Sequence, residues 1–325
     1  LISLLITIVC FIPFINLLYK LKLEDPNPSK HKDVFGKATP IFKKLRSGTS
    51  GTPIGGGLLV VLVVTILSCI YFQFFGEWTT EGFGILVTFN AFMLLGLFDD
   101  LKKTFHFKGG PFELGVKQKF VLQLIISAGI SYWLVSKGLI HISIPGLFDI
   151  NNSILLIALT SVGMTFMLNA FNITDGVDGL SSGTLSIAFV GLLALPNVIS
   201  NPTIQVFSAL LLGGLVAYLY FNIHPARLLM GDTGSLAFGS VFCLILLLTD
   251  YAFLIPILGL IYIVEALSSL IQWLARRFLS KKVFDAAPLH YHLENRGWHQ
   301  TKVSMRAYIF QIILVLIALS LVSLI

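Results

Sequence analysis

Charge is scarce in this 325-residue chain: 12% of its residues are Asp, Glu, Lys or Arg, 56% are hydrophobic, and mean hydropathy is +0.89. A soluble domain carries about a quarter charged residues, so this chain cannot clothe a water-facing surface. Lipid must be its solvent. No loop reads as a separate soluble domain, which leaves one polytopic unit over residues 1–325. Cysteine is nearly absent. Cys10, Cys69 and Cys243 lie in separate apolar runs without metal-type spacing, so packing is their expected use. The alternation of apolar and polar residues that marks barrel strands is also lacking. Backbone groups in lipid must then be satisfied within their own segment, which means helices.

Apolar runs long enough to cross a bilayer, about 17 to 25 residues, recur along the whole length. They are Leu1 to Tyr19, Pro53 to Phe75, Gly82 to Phe98, Phe120 to Val135, Ser153 to Phe171, Leu180 to Leu195, Ile204 to Phe221, Gly234 to Leu248, Leu254 to Leu279 and Tyr308 to Ile325. The expected fold is therefore an all-α integral membrane bundle of about ten transmembrane helices. The first run is read as a spanning helix, not a signal peptide, because its basic residues all follow it.

Lys and Arg number 22, and 21 of them fall in alternate loops: Lys20 to Arg46, Lys102 to Lys119, Arg227, and Arg276 to Arg306; only Lys137 is in a loop of the other set. The positive-inside rule places both termini outside and these basic loops, with the turn at Asn172 to Asp178, in the cytoplasm. A basic cytoplasmic face also attracts anionic headgroups and phosphorylated substrates. The pattern around His141 to Gly146 suggests a small external hairpin.

Acidic residues at or in membrane helices are costly and ask for an explanation. Asp99 and Asp100 end the third run, where they are either a solvated helix end balanced by Lys102 and Lys103 or a metal-linked, proton-accepting pair. Asn172-Ile-Thr-Asp175-Gly176-Val-Asp178-Gly179 forms a short polar turn; an acid there could simply cap the next helix, and the acid spacing excludes a calcium loop. Asn222-Ile-His224-Pro-Ala-Arg227 leads into Met230-Gly-Asp232-Thr-Gly-Ser235, a helix start whose N–H groups suit an anion and whose carboxylate suits Mg²⁺; the alternative is a cap by Asp232 or Thr233. Pro288-Leu-His290-Tyr291-His292 would point both histidines one way if extended, as Pro288 favours. A zinc site is not supported there, and contact with phosphate or sugar fits better. Glycine-rich Gly51 to Gly57 lacks the Lys-Ser/Thr of a Walker loop and the preceding strand of a Rossmann turn. Glu265, alone within the ninth run, could pair inside the bundle, and its role is open.

Gly51-Thr52-Pro53, Gly55 to Gly57, Asp99-Asp100, Lys117-Gln-Lys119, Asn172 to Leu180, Asn222 with His224-Pro-Ala226, Met230 to Leu236, and Ala287 to His290 through Gly297-Trp298 together resemble the polyprenyl-phosphate N-acetylhexosamine-1-phosphate transferases. The alanine-proline-leucine-histidine run and the glycine-tryptophan after it favour the muramoyl-pentapeptide branch. Three departures stand out. Tyr291 replaces the middle of three consecutive histidines, Thr49 and Ile54 stand where lysine and threonine are usual, and Leu229 stands where an aromatic is usual.

The resemblance implies a bacterial inner-membrane enzyme with a cytoplasmic cleft, in which undecaprenyl phosphate displaces UMP from UDP-N-acetylmuramoyl-pentapeptide with the help of Mg²⁺. It assigns Asp232 to the metal with Asp100 near it, and Asp99 to the lipid phosphate's proton. Lys117 and Lys119 would steer phosphate; Asn172, Asp175, Gly176, Asp178 and Asn222 would line the nucleotide pocket; His290 and His292 would contact diphosphate or sugar. No nucleic-acid partner is expected, and a homodimer is compatible with the sequence without being determined by it. Two other readings remain at this point: transfer of N-acetylglucosamine 1-phosphate, and an ion-coupled transporter. Against the latter, the acids cluster at one face and no inverted repeat is visible.

Overall fold

The computed structural model describes residues 1–23, 51–105, 115–144 and 148–324. Most of the basic first loop, including Thr49, and Lys108 of the second lie outside these. The described chain is helical: α1 (Ile2–Lys20), α2 (Gly56–Phe74), α3 (Thr80–Phe105), α4 (Val116–Ser136), α5 (Ser153–Thr174), α6 (Leu180–Leu193), α7 (Pro202–Asn222), α8 (Gly231–Leu248), α9 (Leu260–Phe278), α10 (Leu289–Asn295) and α11 (Gln300–Ser323). Between α4 and α5, strands β1 (Ile142–Ile144) and β2 (Phe148–Ile150) pair antiparallel, Ile142 opposite Ile150, as the small hairpin anticipated from sequence.

Every one of the ten apolar runs contains a helix. Among the described residues, eight helices are long and apolar enough to span a membrane on their own. The ninth run is bent by 70° between Ala252–Leu258 and Leu260–Phe278. The remaining helix, α6, has 14 residues and stops at Leu193. Its stop has a local cause: Pro196 cannot donate a backbone hydrogen bond and disfavours helical geometry at Leu195, whose backbone is extended.

Helix α8 is the hub. It packs on α3, α5 and α2, and 89% of its membrane-length window is buried inside the protein. Small residues allow this. Gly57 of α2 crosses Gly234 of α8 so closely that a Cβ on Gly57 would collide with the Gly234 backbone, and Gly96 of α3 likewise meets the carbonyl of Asp232. Outer helices such as α1 and α11 instead show apolar side chains outward, including Val9, Ile12, Ile309 and Leu316. With lipid as solvent, these need no further cover.

Two boundaries differ from the sequence expectation in ways that matter. Helix α3 does not end at Asp99-Asp100 but runs to Phe105, and α4 begins at Val116 instead of Phe120. The charged residues are thus held on rigid helix, because i,i+4 pairing of Asp99 with Lys103 supports the extra turn.

Candidate active site

Four helices meet at one end of the bundle and bring charged side chains together. Asp99 and Lys103 come from the last turns of α3, Lys119 from the first turn of α4, Asn172 from the end of α5, and Asp232 from the first turn of α8. Lys103 Nζ lies 2.7 Å from Asp232 Oδ2 and 2.9 Å from Asp99 Oδ2. Lys119 Nζ donates to Asp99 Oδ2 at 3.0 Å and also to Asp232 Oδ2. Two ammonium groups therefore bridge two carboxylates from different helices. Asn172 Nδ2 fixes the other oxygen of Asp232 at 2.8 Å and reaches Ser235 Oγ at 2.7 Å.

Asp100 does something else. Successive residues on a helix diverge by about 100°, and Asp100 points at the start of α8, accepting from the backbone N–H of Asp232 (2.9 Å) and of Thr233 (2.9 Å) and from Thr233 Oγ1 (2.6 Å). The α8 N-terminus was expected to offer its N–H groups to a bound anion. Instead these two N–H groups are taken by a carboxylate of the protein itself, and neither Asp232 nor Thr233 is the cap. Gly231, with φ of +78°, makes room: a Cβ there would strike Asp100 Oδ2.

The glycine-rich segment gains a purpose that sequence reasoning could not assign. The N–H groups of Gly55 and Gly56 donate to Leu229 O at 3.1 and 2.9 Å, Gly57 N donates to Met230 O at 3.0 Å, and Leu229 N donates to Pro53 O at 2.9 Å. Ile54 and Leu229, two of the departures noted above, form an isolated parallel β-bridge. The segment is a ledge that seats the residues just ahead of Asp232.

Beside the cluster, the turn after α5 is tied down rather than open. Asp175 accepts from Ser181 Oγ at 2.5 Å; Asp178 Oδ2 is held by His224 Nδ1 (2.8 Å) and by Ala226 N (3.1 Å). Neither is the N-cap of α6, which is Gly179. Asn222 is 3% exposed, with Oδ1 accepting from Gly179 N at 2.9 Å and Nδ2 donating to Leu228 O at 3.0 Å. Its amide joins the two segments. Lys117 is exposed at the start of α4.

The histidine segment corrects the extended reading. Residues Leu289–Asn295 are helical, so His290 and His292, two positions apart, leave in different directions. His290 is fully buried and bonded through Nδ1 to Glu265 Oε2 at 3.0 Å. His292 Nδ1 accepts instead from the backbone of Asp285 at 3.2 Å. A ligand cannot be gripped by both in the way an extended pair would allow.

Two groups were missed in the sequence as site members: Lys103 and Ser235. The i,i+4 spacing from Asp99 was the available signal for Lys103, obscured by the expectation that the helix had already ended. Among the described residues, no three His, Cys, Asp or Glu side chains gather closely enough to hold a metal ion unaided. Mg²⁺ is, however, commonly held by one or two carboxylates together with substrate phosphates and water, and two carboxylates sharing cations is a donor set of that kind.

Residues 82–250, which hold Asp99, Lys103, Lys119, Asn172 and Asp232, match the model of glycosyl transferase family 4. The chain belongs to that family. Proteins named phospho-N-acetylmuramoyl-pentapeptide-transferase are similar to it over nearly their whole length. The protein of Caldanaerobacter subterraneus subsp. tengcongensis is 34% identical over 299 residues, covering 90% of this chain and 87% of the relative. That of Clostridium acetobutylicum is 34% identical over 311 residues, 94% and 92% respectively, and that of Bacillus pumilus 33% identical over 302 residues, 90% and 86%. Within glycosyl transferase family 4, the chain therefore groups with the phospho-N-acetylmuramoyl-pentapeptide-transferases, as the sequence resemblance implied.

Proposed function

We propose that the protein transfers phospho-N-acetylmuramoyl-pentapeptide from its UDP-linked precursor to undecaprenyl phosphate, giving lipid I and UMP, at the cytoplasmic face of a bacterial cell membrane. The observation that carries this reading is the bridge of Lys103 and Lys119 between Asp99 and Asp232. It assembles, at one end of a membrane bundle, both cations for phosphate and carboxylates for a divalent ion.

In the reaction, an oxygen of the lipid phosphate bonds to the sugar-bearing phosphorus of the diphosphate, and the bond from that phosphorus to the bridging oxygen breaks, releasing UMP. Mg²⁺, held by Asp232 with Asp99 close by in place of Asp100, whose carboxylate is taken up by the start of α8, would neutralise charge on the diphosphate and stabilise the leaving group. Lys103 and Lys119 bind phosphate oxygens, exchanging carboxylate partners for substrate. Lys103, 56% exposed against 18% for Lys119, is the freer of the two to follow the substrate. Asn172 orients Asp232. Asp100 acts indirectly, by fixing the start of α8. Asp99 takes the acceptor's proton or holds it in line, while Lys117 steers phosphates toward the site. The Asp175 to Asp178 turn and the segment carrying His290 and His292 form the nucleotide and sugar side, with Asn222 tying that turn to the backbone at Leu228.

The test is release of UMP by the purified, detergent-solubilised protein, which should require both Mg²⁺ and polyprenyl phosphate. Competition by UDP-N-acetylglucosamine should be weak. Efficient use of that sugar would move the protein to the other branch, and transport without UMP release would remove it from enzymes altogether.

A further inference from the structure

The proposed chemistry gives no role to one buried carboxylate behind the nucleotide and sugar side. Glu265 lies on α9, 5% exposed, inside an apolar bundle where a lone carboxylate is costly. Its Oε2 accepts from His290 twice, from the backbone N–H at 3.2 Å and from Nδ1 at 3.0 Å. That fixes the ring with Nδ1 as donor and turns Nε2 the other way. Nε2 is buried without a hydrogen-bond partner and lies against Gly176, where any Cβ would collide with it. The next residue, Tyr291, packs its ring edge-on to His290 with centroids 4.2 Å apart and donates its hydroxyl to Gly176 O at 3.3 Å. Two consecutive side chains thus close on a single glycine.

The same turn is held at its far end by α11. Ser304 Oγ donates to Asp178 O at 2.9 Å and Tyr308 OH to Gly179 O at 2.7 Å. Three carbonyls of the 175–179 segment are therefore accepting from hydroxyls that all come from the C-terminal part of the chain. Tyr291 stands where a histidine is usual in the muramoyl branch. An imidazole ends well short of a phenol hydroxyl and would not span to Gly176 O from this backbone, so the contact belongs to the tyrosine.

We infer that Glu265, His290 and Tyr291 form a latch on Gly176 that positions the Asp175–Gly179 turn, and that Glu265 and Tyr291 are positioning residues for the UDP-linked substrate. The kinetic consequence rests on the proposed transfer reaction; the structural one does not. Tyr291→Phe removes one hydrogen bond and keeps the ring, so KM for UDP-N-acetylmuramoyl-pentapeptide should rise roughly three- to tenfold, the worth of one net hydrogen bond. kcat and KM for polyprenyl phosphate should stay within about twofold, because the turn acts on binding of one substrate and not on the bond-making step. Glu265→Gln keeps an acceptor for His290 and should stay close to wild type, whereas Glu265→Leu should show the KM defect more strongly. Hydrogen exchange of the peptide covering residues 174–180 should quicken in Tyr291→Phe and in Glu265→Leu. An unchanged KM with unchanged exchange would refute the latch. So would an equal loss of kcat and affinity with a lowered thermal midpoint in Tyr291→Phe and Glu265→Gln alike, which would reduce both residues to packing. Absence of UMP release by wild type would defeat the transferase reading, and the exchange comparison would still decide the latch.

Discussion

Asp99 on α3 and Asp232 on α8 are joined by the single ammonium of Lys103, 2.9 Å from one carboxylate and 2.7 Å from the other. One turn of helix separates Asp99 from Lys103, so α3 carries the two together, and they meet Asp232 where Gly96 lets α3 approach the start of α8.

Asp232→Asn keeps the size of this side chain and removes its charge. Turnover is expected to fall by about 10²- to 10³-fold or more, the usual value of one electrostatic group in a transition state. Steady-state UMP release across a Mg²⁺ titration checks it, and near-normal turnover at saturating Mg²⁺ would leave Asp232 as no more than a link between α8 and the lysines.

Asp99→Asn separates proton transfer from positioning. If Asp99 takes the acceptor's proton, the mutant's deficit should be larger at pH 6.5 and shrink toward pH 9, because the second pKa of a phosphate is near 6 and the lipid phosphate is then already dianionic. UDP-sugar affinity should survive. A deficit equal at both pH values would assign Asp99 to holding cations instead.

Gly57→Ala tests the close crossing of α2 and α8. The added methyl would meet the backbone of Gly234 and not a side chain that can move aside. A cost of about 1 to 3 kcal/mol is expected from overpacking, read as a lowered thermal midpoint, together with lost activity because Asp232 sits two residues before the crossing. An active mutant of unchanged midpoint would show that the close crossing is dispensable.

Membrane orientation follows from the basic loops. With the native cysteines replaced, Lys108→Cys and Arg296→Cys should resist an impermeant thiol reagent added to intact cells, while Lys137→Cys should react. Labelling at Lys108→Cys or Arg296→Cys from outside would invert the topology and place the site on the wrong side for a UDP-linked substrate.

Helical content was legible in the sequence because lipid leaves the backbone no partner but its own segment, and each of the ten apolar runs does contain a helix. The acids that cluster were legible too, since charge is so rare here that each carboxylate stands out. Less was visible of their division of labour. Asp99 and Asp100 are identical neighbours in sequence, yet one shares cations with Asp232 and the other caps α8. The glycines of residues 55–57, which matched neither a Walker loop nor a Rossmann turn, prove to be a ledge for Leu229 and Met230. His290 and His292 looked like a pair and are parted by a helix that Pro288 begins instead of preventing.

The sequence by itself determined that this chain lives in lipid, where its helices lie, and on which set of loops its positive charge is gathered, because those properties depend on composition and on spacing along the chain. Only the tertiary structure decided which carboxylate meets which cation, that a protein carboxylate caps the N-terminus of α8, and that Gly176 receives both His290 and Tyr291. The reason is physical: a helix fixes the direction in which each side chain leaves its axis, but the group that side chain meets is set by how closely neighbouring helices approach, and here that approach is governed by glycines whose partners are far away in the chain.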